Sequence, residues 1–395
     1  MAEPPYRGLK VLDLSQGIAG PYCATLLAQQ GADVIKAEPL AGDWLRNAGE
    51  GREGMSALAI ASNLGKRSIA LDATKPQGRE LLARLAARSD VVLQNYRPGV
   101  IERLGLGYET VAAANPNVVY VSVTGFGPDG PDAQKPGTDS IFQSMTGMAS
   151  RNRDPDGKPR RMPILIPDTV TAVYAAQAVG AALYARARNG KGRHLRLSLF
   201  EACAAFQAAP IVESRLFPGE APPLTVPAGV FRTKDGWLTL SGVTEAHFTG
   251  TLRALGLEAL IDDPRFAIIG PRRKNASMLN EEVARRLAER DTAHWIEKLA
   301  AEDALFAPIA DYSAFVDSPQ AQHLGAFAAL DQPPYGELPV ARMPGAEHAW
   351  PLRPAPRVGE HTDEILRELG LDDAAISGLV AAAAVRIYDR GGGCS

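Results

Sequence analysis

Asp168 stands alone in a stretch that otherwise has the composition of buried core. From Pro163 to Arg186 the chain reads PILIPDTVTAVYAAQAVGAALYAR, and Asp168 is its only acidic side chain. An aspartate here can do two things. It can cap a helix by accepting a free first-turn N–H. It can also act as a nucleophile, a carboxylate that attacks an acyl carbon and becomes covalently acylated. The stretch by itself leaves both open. A second constellation lies in Asp90–Gly99 (DVVLQNYRPG), followed by Arg103. There a strand delivers an amide, an aromatic ring and a guanidinium to one loop. Tyr96 can cover a flat base while Arg97 and Arg103 meet phosphates, although a solvated loop has the same composition. A third is Gln16-Gly17-Ile18-Ala19-Gly20-Pro21, with two glycines close to a helix start, where backbone N–H groups can approach an anion. It is not GxGxxG, and the absence of GxxxxGK[ST] argues against a P-loop NTPase.

These residues need a frame, and the first 125 residues supply an alternation of strands and helices. Leu9–Leu14, Asp33–Ala37, Asp90–Gln94 and Val118–Val123 are short apolar runs. Pro21–Gln30, stopped by Gly31, and Pro76–Arg88, with Leu81, Leu82, Leu85 and Ala86 on one face, have helical patterns. Continuous Val/Ile/Leu strands separated by helices predict a doubly wound α/β fold with a parallel sheet covered on both faces. Ligands of such a sheet sit beyond the carboxyl ends of its strands. Here those ends are Ser15–Gly17, Glu38–Pro39, Asn95–Gly99 and Thr124–Gly127.

Farther along, the helix that carries Asp168 stops at Asn189-Gly-Lys-Gly. A strand is expected at His194–Leu199 and a helix at Glu201–Ile211. Residues 217–227 have linker composition, and Val230–Ser241 reads as a hairpin around Lys234-Asp235-Gly236. Helices follow near 246–256, 277–289 and 291–301, and then a proline-rich passage at 332–356. The expected organisation is a large domain begun by 1–215, a small α+β domain at 222–325, and a segment at 326–395 that links back to the large domain and ends in a frayed tail from Arg390.

With 395 residues, 46% of them hydrophobic, the chain can bury two domain cores. A net charge of −3 argues against nucleic acid or a membrane surface as partner. Cys23, Cys203 and Cys394 have no CxxC spacing, so neither a disulfide framework nor a metal site is expected, and the pattern fits a reducing cytoplasm. The N-terminus has no apolar leader pattern, and 169–185 is too short and too polar for a membrane span. Arg151, Arg153, Arg160 and Arg161 form a basic cluster before Asp168; it can meet a dicarboxylate or simply be a solvated loop.

In order along the chain, Leu12–Pro21 (LDLSQGIAGP), Gly31–Pro39 (GADVIKAEP), Asn63–Asp72 (NLGKRSIALD), Gln94–Gly99 with Arg103–Gly105, Ser122–Pro128 (SVTGFGP) and Gly359–Gly370 (GEHTDEILRELG) resemble the class III coenzyme A transferases, the CaiB/BaiF or formyl-CoA transferase-like family. The resemblance runs over nearly the whole length. It implies a Rossmann-like large domain built from both chain ends, a smaller domain between them, and an interlocked homodimer. It implies transfer of CoA from an acyl-CoA donor, such as succinyl-CoA, to a carboxylic acid. CoA would be a substrate, with no prosthetic group. Asp168 falls at the family's nucleophile, which would pass through aspartyl anhydride and aspartyl-CoA thioester intermediates.

The same resemblance sets Gln16 and Gly17 beside the CoA thiol, and Asn95, Tyr96, Arg97 and Arg103 at the adenosine–pyrophosphate site. It sets Leu71 and Thr74 near the adenine, Lys135 at a phosphate, and Thr138 and Asp139 near the acceptor acid. Two rivals share the fold. An α-methylacyl-CoA racemase needs a histidine base where Thr138 stands, and Thr138 cannot accept a proton near neutral pH. A non-catalytic CoA-binding protein would have no use for a nucleophile at Asp168.

Overall fold

The computed structural model describes residues 3–389 except 155, 218, 220–222 and 348–349. The tail from Arg390, with Cys394, lies outside the described residues. The chain divides into two compact units, residues 1–208 with 322–395, and residues 209–321. The second unit thus differs at both ends from the 222–325 read off the proline pattern.

In the first unit the strands β1 (Lys10–Asp13), β2 (Asp33–Glu38), β3 (Arg67–Leu71), β4 (Val91–Gln94), β5 (Val119–Thr124) and β6 (Arg193–Ser198) form a parallel sheet in the order 3-2-1-4-5-6. That is the order of a doubly wound dinucleotide-binding sheet. A short strand at Val385–Arg386 pairs antiparallel with β3 and brings the C-terminal segment to the sheet's edge. The strand β3 is absent from the sequence expectation; its RSIAL run follows a turn in which the Lys66 N–H donates to the Asn63 carbonyl at 3.3 Å, with Gly65 at φ +78°.

Adjacent strand residues point to opposite faces, so β1 feeds two cores. Leu12 packs with Leu81, Leu82 and Leu85 of α2 (Pro76–Ala87) and with Ile365 and Leu366. Val11 packs with Leu27 of α1 (Ala19–Gln29) and with Ala172, Ala175 and Val179 of the long helix α4 (Ile166–Asn189). Between β5 and α4 lies the short helix α3 (Asp139–Met145). After β6 the helix expected at Glu201–Ile211 is instead two, α5 (Leu199–Phe206) and a helix at Ala208–Leu216. Pro210 has no N–H to offer Phe206, so the chain must restart there. The proline-rich passage also holds more than a linker. Phe327–Gln332 and Gly336–Ala341 form an antiparallel hairpin packed on Met55, Ile60 and Leu64.

The second unit has its own core. Ala228–Arg232, Trp237–Ser241 and Phe306–Pro308 make a three-stranded antiparallel sheet whose Leu238 and Leu240 meet Phe248, Leu252, Leu279 and Trp295 from three helices. Among the described residues no helix is long and apolar enough to cross a membrane.

Candidate active site

The strand order reverses between β1 and β4, and the loops after these two strands diverge there. Side-chain amides bind the two loops to each other. The Gln16 N–H donates to Asn95 Oδ1 at 2.8 Å, and Asn95 Nδ2 donates back to the Gln16 carbonyl at 2.6 Å. Gln94 Oε1 accepts the Tyr96 N–H at 2.8 Å. Gly17 takes φ +73° to turn the chain, and a Cβ on Gly20 would lie 2.3 Å from Ser15 Cβ, so only glycine lets α1 start so close to β1.

Beneath this turn lies a layer of buried charge. Asp43 accepts the Gly17 N–H at 3.1 and 3.2 Å and the Leu45 N–H at 3.0 Å, and Lys36 Nζ reaches it at 3.0 Å. Lys36 also donates to the Ser15 carbonyl. Lys66 Nζ donates to Asp13 at 2.8 Å, to the Pro21 carbonyl at 2.7 Å and to Asn63 at 2.9 Å. Burial pulls the Lys66 ammonium down to about 8, against the attraction of Asp13. Each buried charge has an opposite partner, without which it would cost several kcal/mol. The layer fixes the Gln16–Gly17 turn from below. Asp43 in this layer occupies the Gly17 N–H, and Asn95 occupies that of Gln16, so the backbone donors left at this point belong to the start of α1. Ile18 and Ala19 line the cavity there, and first-turn N–H groups have no intrahelical acceptor.

Asp168 does not cap its helix. The N-cap is Leu165, and Asp168 is the third helical residue, with no side-chain capping bond. The acceptor for its backbone N–H is Asp139 Oδ2, at 3.2 Å. Asp139 is buried, and its other oxygen accepts from Gln143 Nε2 at 2.7 Å. Gln143, buried one turn along α3, also donates to the Ile164 carbonyl at 3.0 Å and accepts the Met162 N–H at 2.8 Å. One side-chain amide therefore ties Asp139 to the segment that leads into α4. Relieved of capping, the half-buried Asp168 carboxylate accepts no hydrogen bond among the described residues. Burial, and then the neighbouring Asp139 charge, push its pKa up to about 7. Such a carboxylate is a stronger base and nucleophile than an exposed one, yet it is still substantially ionised at neutral pH.

Asp168, Asp139, Thr138, Gln16, Gly17, Asn95, Tyr96 and Arg97 all line one cavity of about 330 Å³ at the switch point, together with Trp44. Leu71 and Thr74 line a second cavity, of about 360 Å³, walled by Leu14, Pro39, Leu40, Ile101 and Leu104; Tyr96 borders both. Two expected residues line neither. Arg103 is exposed, its guanidinium folded over Gly99, and Lys135 pairs with Asp132 at 2.6 Å on the surface. Asn95 lines the first cavity, but its amide is engaged by Gln16. Asp43, Trp44 and Gln143 were not legible as site residues. Only Gln143 left a signal, its i+4 spacing from Asp139 on a helix.

Among the described residues no histidine lines the cavity around Asp168. His194 stacks on Tyr108 with ring centroids 4.6 Å apart and lies 2.9 Å from Ser122 Oγ; burial lowers its pKa to about 4. Nor, among those residues, is any group of His, Cys, Asp and Glu arranged to hold a metal ion.

Residues 6–362 match the family model described as CoA-transferase family III. A succinate–glutarate CoA-transferase from Agrobacterium fabrum is 33% identical over 393 residues, covering 93% of this chain and 96% of that protein. The human succinyl-CoA:glutarate CoA-transferase is 32% identical, over 96% of this chain and 90% of its own length. The crystal structure of a CAIB/BAIF family protein from Brucella suis superposes with a TM-score of 0.83 at 31% identity, over 93% of this chain and all of the other. With Asp168 lining a cavity at the switch point and similarity over nearly the whole length in both sequence and structure, the chain belongs to the family III CoA-transferases.

Proposed function

We propose that this CoA-transferase moves CoA from succinyl-CoA or a similar donor to a second dicarboxylic acid, with Asp168 as the nucleophile. The observation that carries the reading is the Asp168 carboxylate, free of hydrogen bonds among the described residues, raised in basicity and facing a cavity at the switch point. Relatives named for succinate and glutarate support dicarboxylates as the substrate class.

The Asp168 carboxylate attacks the donor thioester carbonyl, forming a mixed aspartyl anhydride and releasing CoA thiolate. The thiolate attacks the aspartyl carbonyl, giving the aspartyl-CoA thioester and the free donor acid. The acceptor carboxylate then attacks this thioester, forming a second anhydride and releasing thiolate again. Thiolate attack on the acceptor's acyl carbon yields the new acyl-CoA and regenerates Asp168. Each step exchanges one acyl group between a carboxylate and a thiolate, so no prosthetic group is needed. Each oxyanion needs a donor, and the first-turn N–H groups of α1 suit that role. Water must be kept away, because either intermediate would hydrolyse.

The apolar cavity at Leu71 and Thr74 suits an adenine, with Tyr96 between it and Asp168, and Arg97 suits a phosphate. Arg103 reaches phosphate only by leaving Gly99. A homodimer fits the apolar side chains that the first unit exposes: Ile141, Met145, Phe200 and Phe206 are each 44–53% exposed. A cytoplasmic setting fits the free thiols Cys23 and Cys203.

The test is to mix the protein with succinyl-CoA and hydroxylamine and to map the hydroxamate by mass spectrometry. Modification at Asp168, with Asp168→Asn losing at least ~10³-fold in exchange rate, is the expected result. A folded Asp168→Asn variant that exchanges CoA at the parent's rate overturns the reading. Deuterium entering the α-carbon of a branched acyl-CoA without exchange of CoA would favour the racemase instead.

A further inference from the structure

The four arginines before α4 are not equivalent. Arg160 pairs with Asp154 at 2.5 Å, and Arg153 donates to the Ser150 and Gly157 carbonyls at 2.8 and 3.3 Å. Arg151 is partnered as well. Arg161 is exposed and has no ion pair or hydrogen bond among the described residues. It is nevertheless not at the end of a loose loop. The next residue, Met162, donates its N–H to Gln143 Oε1, and the same amide holds Asp139 Oδ1. A free guanidinium thus stands one residue from a backbone bond that is fixed, through Gln143 and Asp139, to the N–H of Asp168. Its charge acts on Asp139, partly offsetting the burial that raises that carboxyl.

A dicarboxylate entering this site brings a distal negative charge toward two carboxylates that already repel each other. Without a cation on that side the diacid is disfavoured against a monoacid of equal length. Among the described residues the cavity's one lining cation, Arg97, extends from the loop after β4 rather than from the Asp139 side.

We infer that Arg161 receives the distal carboxylate of the dicarboxylic substrate and sets the preference for diacids over monoacids. This rests on the reading that CoA passes through Asp168. A guanidinium binds a carboxylate through two parallel hydrogen bonds, and an exposed, unpaired one has no internal partner to give up.

The parent, Arg161→Gln and Arg161→Lys are compared as acceptor-varied exchange reactions with one donor, glutarate against valerate. Arg161→Gln is expected to lower kcat/KM for glutarate at least ~10-fold through KM, a charge-assisted pair being worth about 1.5–3 kcal/mol. Its valerate kcat/KM stays within about threefold of the parent's, and Arg161→Lys recovers part of the loss. An unchanged glutarate-to-valerate ratio in Arg161→Gln, or an equal fall for both acids, overturns the assignment. So does a parent that prefers valerate or takes neither acid. Hydroxylamine trapping on the same samples keeps the two readings apart: a hydroxamate at Asp168 in every variant sustains the nucleophile even where Arg161 fails.

Discussion

Replacing Asp139 by Asn separates the electrostatic cause of the Asp168 pKa from the effect of burial. Asp168 moves from 3.8 to about 7, with burial the larger cause and Asp139 the second. The neighbour's share is therefore under half of that shift. Removing its charge should lower the Asp168 pKa by the smaller part of that shift, leaving the part due to burial in place. The acid limb of a kcat/KM profile reports the free enzyme's essential base. For the parent that limb is expected near pH 7, and for Asp139→Asn at lower pH but still above the ordinary carboxylate range. Hydrogen bonding adds a separate cost. Asp139 accepts from both Gln143 Nε2 and the Asp168 N–H. An asparagine has one carbonyl oxygen for these two donors, so the variant should also lose about 1–3 kcal/mol of stability. Thermal melts at each pH confirm that the profile is taken on folded protein. An acid limb that stays near pH 7 in folded Asp139→Asn, or moves upward, refutes a contribution of the Asp139 charge to the basicity of Asp168.

Two further predictions concern stability. A carboxyl whose folded pKa is raised contributes stability that is fully present below its unfolded value near 3.8 and is lost as pH rises to about 7. Asp168→Asn should therefore melt higher than the parent at pH 8, with the difference shrinking toward pH 5; equal differences at both pH values contradict the raised pKa. Asp43→Ala removes the acceptor of the Gly17 and Leu45 N–H groups and takes from the buried Lys36 its nearer carboxylate, leaving Asp13 at 4.0 Å and the Ser15 carbonyl. Chemical denaturation should show a loss of about 3–5 kcal/mol. Adding Lys36→Met should restore part of it, and a strictly additive double variant would mean that the two charges are not coupled.

The local pattern of this sequence determined a great deal. Short Val/Ile/Leu strands between helices can bury both faces only in a parallel sheet, so the α/β class and the loops that form its ligand edge follow from residue order. Asp168 was conspicuous because a carboxylate inside an apolar run needs a reason. The strand β3 and the hairpin at 327–341 were hidden, because short runs among polar, proline-rich neighbours have no period long enough to identify them. What only tertiary structure decided was the state of each polar group. No local rule says that Asp139 and not Asp168 satisfies the first turn of α4, or that Asn95 uses its amide on Gln16. Nor does one say that Asp43 sits under Gly17, or that Arg161 alone of four arginines lacks a partner among the described residues. Propensity and spacing act over a few residues, whereas hydrogen bonds and burial are set by groups that meet only after the chain has folded.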